Sequence, residues 1–403
     1  MSQQLIDHNP DLKRLRDDGF TVEVQSSFLI LHRIPYVNEA GEVEWGQLVS
    51  PLHMSGDTVL VPDSHVVHFM GGQPCHKNGS PIQQIIHAVG RNPLDQDLVV
   101  DRSFSNKPPE GYRDYHHKMS TYADIISGPA FSIDPKNNPR QYIAIKSDDE
   151  QSIFQYHDTA SSRAGIKALT RKLEYNRIAL IGLGGTGSYI LDLVAKTPVK
   201  QIDLYDADRF YSHNAFRAPG AASLDDLEAQ LHKVDYFAGI YSRMRRGVIP
   251  HPNHLTEANE AELDGLDFAF VSIDAGDDKR FILQALERRN IAYIDCGMGI
   301  EEVDGRLTGQ IRTTTGIPGQ SNHIWEKNAI SFAEDEGGNE YARNIQIADL
   351  NALNAVLAVI KWKKLSDFYL DLEQEKHCIY PIDGNVLVNA YQPEEVEYET
   401  SVC

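Results

Sequence analysis

The stretch Arg177-Ile178-Ala179-Leu180-Ile181-Gly182-Leu183-Gly184-Gly185-Thr186-Gly187-Ser188-Tyr189 decides the fold. Arg177–Ile181 is an apolar run of strand length, the pattern of a parallel strand buried on both faces. Four glycines follow, and the spacing predicts a helix over Gly187–Lys196. Strand, glycine turn and helix in that order is the context a nucleotide-binding turn requires. Glycines let the backbone approach a phosphate closely, and a helix N-terminus offers free N–H groups and a positive dipole end. Ser188 and Tyr189 stand where a P-loop would carry its lysine, which excludes a P-loop NTPase. The turn alone fits NAD, FAD or ATP, and Gly182, Gly184, Gly185 and Gly187 are its candidate cofactor-binding residues.

Reading outward, Gln201–Tyr205 predicts a second strand that ends in Asp206, a carboxylate placed to take ribose hydroxyls. Asp267–Ser272 and Ile291–Ile294 repeat the short apolar pattern. Ala160–Glu174, Asp225–Met244, Lys279–Arg289 and Ala348–Lys363 predict helices, and Val386–Tyr391 a late strand. Alternating strand and helix predicts an α/β fold, a Rossmann-like, mostly parallel open sheet, over residues 156–403.

Residues 1–155 differ in character. Asp11–Asp17 predicts a short helix ending at Gly19, and Phe20–Val24, Phe28–Ile34 and Gln47–Leu52 predict strands. Asn38–Gly41 and Asn78–Pro81 are turn signals. A smaller α+β domain follows from this pattern. His65, His68, His76, His87, His116 and His117 supply imidazoles beside Cys75, but scattered histidines are more often structural than ligating, and neither a metal site nor a thiol site is expected there.

The chain has 403 residues and a net charge of −20, with Lys+Arg 38 against Asp+Glu 58. That length suits two domains with cores large enough to need no staples. The negative balance disfavours nucleic acid, and any bound polyphosphate needs local cations. No apolar run is long enough for a membrane span. The four cysteines, Cys75, Cys296, Cys378 and Cys403, form no paired motif, so no zinc site and no disulfide framework is expected, and the cytoplasm is the expected compartment.

Beyond the glycine turn lies an ordered polar set: Asp206-Ala207-Asp208, then Asn214-Ala215-Phe216-Arg217, then Lys233, then Asp274 at the end of a strand. A dinucleotide dehydrogenase has no use for Asn214 and Arg217 here, whereas a triphosphate site does. With the glycine turn, this set resembles the ThiF/MoeB and ubiquitin-activating-enzyme superfamily over roughly residues 160–395. The resemblance implies a homodimeric adenylyltransferase that uses ATP and Mg²⁺ on the C-terminal glycine of a ubiquitin-like protein. It assigns the ribose to Asp206, the phosphates to Asn214, Arg217 and Lys233, the magnesium to Asp274, and a partner-reaching role to Arg163. A sulfur-carrier protein is the near alternative as substrate, and an NAD-dependent oxidoreductase or a non-catalytic nucleotide-binding scaffold the distant ones.

Three departures from the family stand out. Ala275 replaces the usual Asn after Asp274, Ala218 the usual Gln after Arg217, and the zinc-binding cysteine pairs are missing. For thioester transfer Cys296 is the candidate nucleophile, since it follows a strand near the expected site; Cys378 is expected to be buried. The start of the N-terminal part resembles a ubiquitin-conjugating-type fold without its His-Pro-Asn motif. That implies an accessory domain that recruits the modifier or a conjugating enzyme.

Overall fold

The computed structural model describes residues 2–95, 98–144, 152–156, 158–164, 166–332 and 345–391. The chain divides into two compact units, one of Met1–Ile145 with Ser162–Ala164, the other of Lys146–Ser161 with Gly165–Cys403.

In the first unit, six strands form an antiparallel sheet. They are β1 (Thr21–Gln25), β2 (Phe28–Val37), β3 (Val43–Pro51), β6 (Val66–Met70), β7 (Ile86–Asp95) and β8 (Leu98–Ser105), in the order β1-β2-β3-β6-β8-β7. A small ladder of β4 (Met54–Ser55) and β5 (Thr58–Val59) lies apart. Alternate residues Leu29, Leu31, Leu48, Val67, Phe69 and Phe104 pack on Tyr115, Met119, Tyr122 and Ile126 of the helix Tyr115–Ile133. The Asp114 side chain caps that helix by accepting from the His117 N–H at 2.7 Å. β2 runs past the expected Ile34 to Val37 because Arg33, at φ +57°, absorbs a bulge and lets the pairing with β3 resume. Lys118 lies fully inside this unit and donates to Ser50 Oγ at 2.9 Å; burial pulls its pKa down to about 8.

The second unit is built on an eight-stranded sheet in the order β11-β10-β9-β12-β13-β14-β15-β16. Its strands are β9 (Arg177–Ile181), β10 (Gln201–Tyr205), β11 (Val248–His251), β12 (Phe268–Val271), β13 (Ala292–Val303), β14 (Arg306–Gly316), β15 (His377–Pro381) and β16 (Val388–Ala390). From β11 to β13 all pairs are parallel, and from β13 to β16 all are antiparallel. β9 is buried on both faces, as its apolar run requires. Ile178 and Leu180 pack with Ile190 and Leu191 of the helix Gly185–Val194 and with Ala355 and Trp362 of the helix Ala348–Leu365. Ala179 and Ile181 pack on the other side with Leu283 and Leu286 of the helix Asp277–Arg288. The buried carboxylate of Asp203 on β10 takes Arg177 Nε from β9 and lies beside His251 Nε2 of β11, each at 2.7 Å. These contacts tie three neighbouring strands together.

The α/β fold is the one expected, with three differences of detail. Asp225–Met244 is two helices, Leu224–Glu228 and Lys233–Tyr241, interrupted at Gln230 with φ +45°. Ala160–Glu174 is three short pieces, Thr159–Arg163, Lys167–Thr170 and a 3₁₀ turn Arg171–Leu173. The short strand expected at Ile291–Ile294 is only the start of β13, which forms a long hairpin with β14. Its turn places Asp304 and Gly305 at φ +51° and +74°, the double left-handed conformation that suits a two-residue hairpin loop. No helix among the described residues is long and apolar enough to cross a membrane.

Candidate functional site

The order of strands reverses beside β9. The chain moves from β9 to β10 on one side, and β12 joins β9 on the other. In open α/β sheets such a switch point leaves a crevice at the carboxyl ends of the strands. Here two segments meet in it, the glycine loop after β9 and Ser272-Ile273-Asp274 after β12. They are fastened together: Ser272 Oγ donates to the Gly182 carbonyl at 2.8 Å, and the Ser272 N–H donates to the Ile181 carbonyl at 2.8 Å.

The glycines of the loop serve different ends. Gly182 has φ +90°, and a Cβ there would lie 2.5 Å from the Ser272 carbonyl oxygen. A Cβ on Gly187 would sit 1.9 Å from the Gly182 carbonyl oxygen, so the turn closes only without one. Gly184 instead faces open space, which leaves its backbone approachable by a ligand.

On one side of the loop stands the polar set. Asp206 accepts the Leu183 N–H at 2.7 Å and the Asp208 N–H at 2.9 Å, so its carboxylate braces the glycine loop; its remaining lone pairs can still take a hydroxyl. Lys233 is buried, with its Nζ 2.6 Å from Asp208 and 3.5 Å from Asp206. That ammonium holds the Asp208 carboxyl below the usual carboxylate range. Asn214 opens a helical turn by accepting the Tyr211 N–H at 2.9 Å. Its buried Nδ2 and the buried Nε of Arg217 have no hydrogen-bond partner among the described residues. Burial lowers the pKa of half-buried Arg217, and the charges of Asp274 and Asp208 oppose that shift. The fold therefore gathers Asp206, Asp208, Asn214, Arg217 and Lys233 on one flank of the loop, within electrostatic reach of Asp274.

A cavity of about 260 Å³ also borders the loop. Gly184, Gly185 and Thr186 of the loop, Asp274, and Cys296 to Gly299 of β13 line it. Its far walls are Gln310 and Arg312 of β14 and Asn351 and Asn354 of the helix Ala348–Leu365. Beneath them Asp295, fully buried, sits between Lys279 Nζ at 3.1 Å and Arg312 Nη2 at 2.6 Å. The Arg312 side chain also donates to Thr314 Oγ1, which lies 2.9 Å from His377 Nδ1. Burial and the nearby Arg312 charge push the His377 pKa down to about 4.

Cys296 lies within β13 rather than after it. It is buried, and desolvation with the Asp295 charge pushes its thiol up to about 12. That environment disfavours the thiolate a nucleophile needs. Cys378 is buried as well, and Cys403 lies outside the described residues. Arg163 closes a short helix, but its side chain lies outside the described residues.

Residues 10–159 match a domain of unknown function, DUF6791, and residues 158–357 match the ThiF family. Residues 158–357 form a ThiF-family domain. The ThiF match takes in every site residue named on both flanks of the loop except His377. Solved structures with a similar fold include E. coli MccB with succinimide, 16% identical, covering 59% of this chain and 72% of that one at a TM-score of 0.46. PaaA is 13% identical over 55% of this chain and 75% of its own, at a TM-score of 0.42. No curated protein matches the chain.

The hairpin β13–β14, Lys279, Asp295, Gln310, Arg312, Asn351 and Asn354 are the parts of the ThiF-domain site that sequence reasoning missed. Asp304-Gly305 was the available signal for the hairpin, being the dipeptide that a tight hairpin turn favours.

Proposed function

We propose that the protein uses ATP to adenylate the C-terminal glycine carboxylate of a ubiquitin-like protein. One observation carries this reading. Asp274 is within electrostatic reach of Arg217 on the polar flank and also lines the cavity that opens on the same glycine loop. Two reactants held by these two regions would meet near Asp274.

The residues fit a nucleotide. Gly184 leaves room for a phosphate, and the unpartnered Asn214 Nδ2 and Arg217 Nε are donors, which phosphate oxygens accept. No group of three or more metal-ligating side chains exists among the described residues. A magnesium ion that arrives with the triphosphate needs only one or two protein carboxylates. Asp274 would hold it, and the ion would neutralise phosphate charge.

The carboxylate of the substrate is already ionised near pH 7, so no general base is required. Its oxygen attacks the α-phosphorus and pyrophosphate leaves. Arg217 and Lys233 offset the charge that otherwise repels the incoming anion, and they stabilise charge developing on the phosphates. Positioning in the cavity supplies much of the remaining advantage. In this reading Asp206 carries the ribose, the protein acts as a homodimer in the cytoplasm, and residues 1–155 are an accessory domain that recruits the modifier or a conjugating enzyme.

ATP–pyrophosphate exchange driven by small proteins that end in glycine tests the proposal. Exchange should require the terminal carboxylate and should fall by about 10²-fold or more in Asp274→Ala, the scale of losing one preorganised electrostatic contact. Exchange that persists at the wild-type rate in that variant, with its fold intact by circular dichroism, refutes the role of Asp274. Binding of NAD but not ATP refutes the reading as a whole.

A further inference from the structure

Two asparagines on the cavity wall are not used by the chemistry above. Asn351 and Asn354 are each 1% exposed and lie three residues apart, on one face of the helix Ala348–Leu365. Each amide is half satisfied. Asn351 Oδ1 accepts from Thr186 Oγ1 at 3.0 Å. Asn354 Nδ2 donates to the Gly297 carbonyl at 3.0 Å. Only an NH₂ can donate to a carbonyl, so this contact fixes which way the Asn354 amide points.

What is left over is one donor and one acceptor. Asn351 Nδ2 and Asn354 Oδ1 are buried and have no hydrogen-bond partner among the described residues. Buried polar atoms in folded proteins are paired with few exceptions, so two orphans from residues that line one cavity point to a ligand group. Its chemistry follows from the pair. A phosphate or a carboxylate only accepts, and would meet the lone pairs of Oδ1. A cation only donates, and would meet the protons of Nδ2. A secondary amide has both a carbonyl and an N–H.

We infer that Asn351 and Asn354 hold a peptide bond of the substrate's C-terminal segment. Asn351 Nδ2 donates to its carbonyl, and Asn354 Oδ1 accepts from its N–H. Both are positioning residues, set upstream of the carboxylate that reacts. The inference rests on the adenylation reading and adds to it how an extended main chain is held irrespective of side chains. Gly184 and Gly299, which also border the cavity, leave open space where side chains would stand.

The test uses the full-length protein and ATP–pyrophosphate exchange with acetyl-Gly-Gly and its two ester isosteres, each lacking one amide N–H. Wild type should use one isostere about tenfold less well than the amide, the scale of one lost hydrogen bond. Asn354→Leu should lower kcat/KM on the amide by about tenfold and bring the amide-to-ester ratio close to one, which a merely structural role would not do. Asn351→Ala, which leaves the Gly297 contact in place, should lower kcat/KM on all three compounds and keeps the test decisive if Asn354→Leu fails to fold. Equal use of all three compounds by wild type, an unchanged ratio in Asn354→Leu, or unchanged kcat/KM in Asn351→Ala overturns the amide pair and leaves adenylation standing. Exchange with small proteins that end in glycine but with none of the three compounds overturns this inference alone, and exchange with neither overturns the adenylation reading and this inference with it.

Discussion

Gly185→Ala is the most informative single change to this domain. The helix Ala348–Leu365 lies so close to the glycine loop that a Cβ on Gly185 would sit 2.0 Å from Asn351 Nδ2 and 2.3 Å from its Cγ. No real contact is that short, so the Asn351 side chain must swing away or the helix must retreat. Either response breaks the Thr186–Asn351 hydrogen bond, worth about 1 kcal/mol, and overpacking adds about 1–3 kcal/mol. Alanine returns up to about 1 kcal/mol of helix propensity. The net expectation is a loss of about 1–3 kcal/mol. The three nearest atoms all belong to the Asn351 side chain beyond its Cβ, so Asn351→Ala should relieve the strain. In urea unfolding, Gly185→Ala with Asn351→Ala should therefore be more stable than the sum of the single changes by at least about 1 kcal/mol. Additive losses would mean that the helix does not press on the loop, and the cavity wall described above would be misplaced.

Two further expectations concern titration and reactivity. His377 has a folded pKa of about 4 against about 6.5 unfolded, so the unfolded chain binds the extra proton between these values. Stability that is complete above about pH 6.5 should drop by up to about 3 kcal/mol as pH falls to about 4, and His377→Gln should flatten that slope in urea titrations. Cys296 has a thiol pKa near 12, so iodoacetamide should label it in the native protein at pH 8 far more slowly than in urea. Mass spectrometry showing fast native labelling would contradict that burial.

Sequence showed the glycine-loop half of the site because its constraints are local. Gly182 and Gly187 are needed by the turn they sit in, and Asp206 follows directly on a strand. The cavity half was hidden because it is assembled from distant segments. Gly297, Gly299, Glu301 and Glu302 interrupt the apolar run after Ile294, so β13 reads as ending where it continues. Asn351 and Asn354 look like the solvent face of an amphipathic helix, but Asn351 is buried against Gly185 and Asn354 against Gly297 of β13. Lys279, Asp295 and Arg312 come from a helix and two strands, and no spacing rule links them. The split of Asp225–Met244 turns on one left-handed residue, Gln230, a type that carries no glycine signal.

The bond between Thr186 and Asn351 spans 165 residues of chain. At about 5–20 residues per second, a ribosome needs on the order of ten to thirty seconds to pass from one to the other. For that interval a nascent chain holds the glycine loop without the wall that completes the cavity. The loop and its polar flank, which draws on residues only as far as Asp274, can be in place well before the Asn351–Asn354 wall exists. The cavity is thus complete only once the chain has been translated past Asn354.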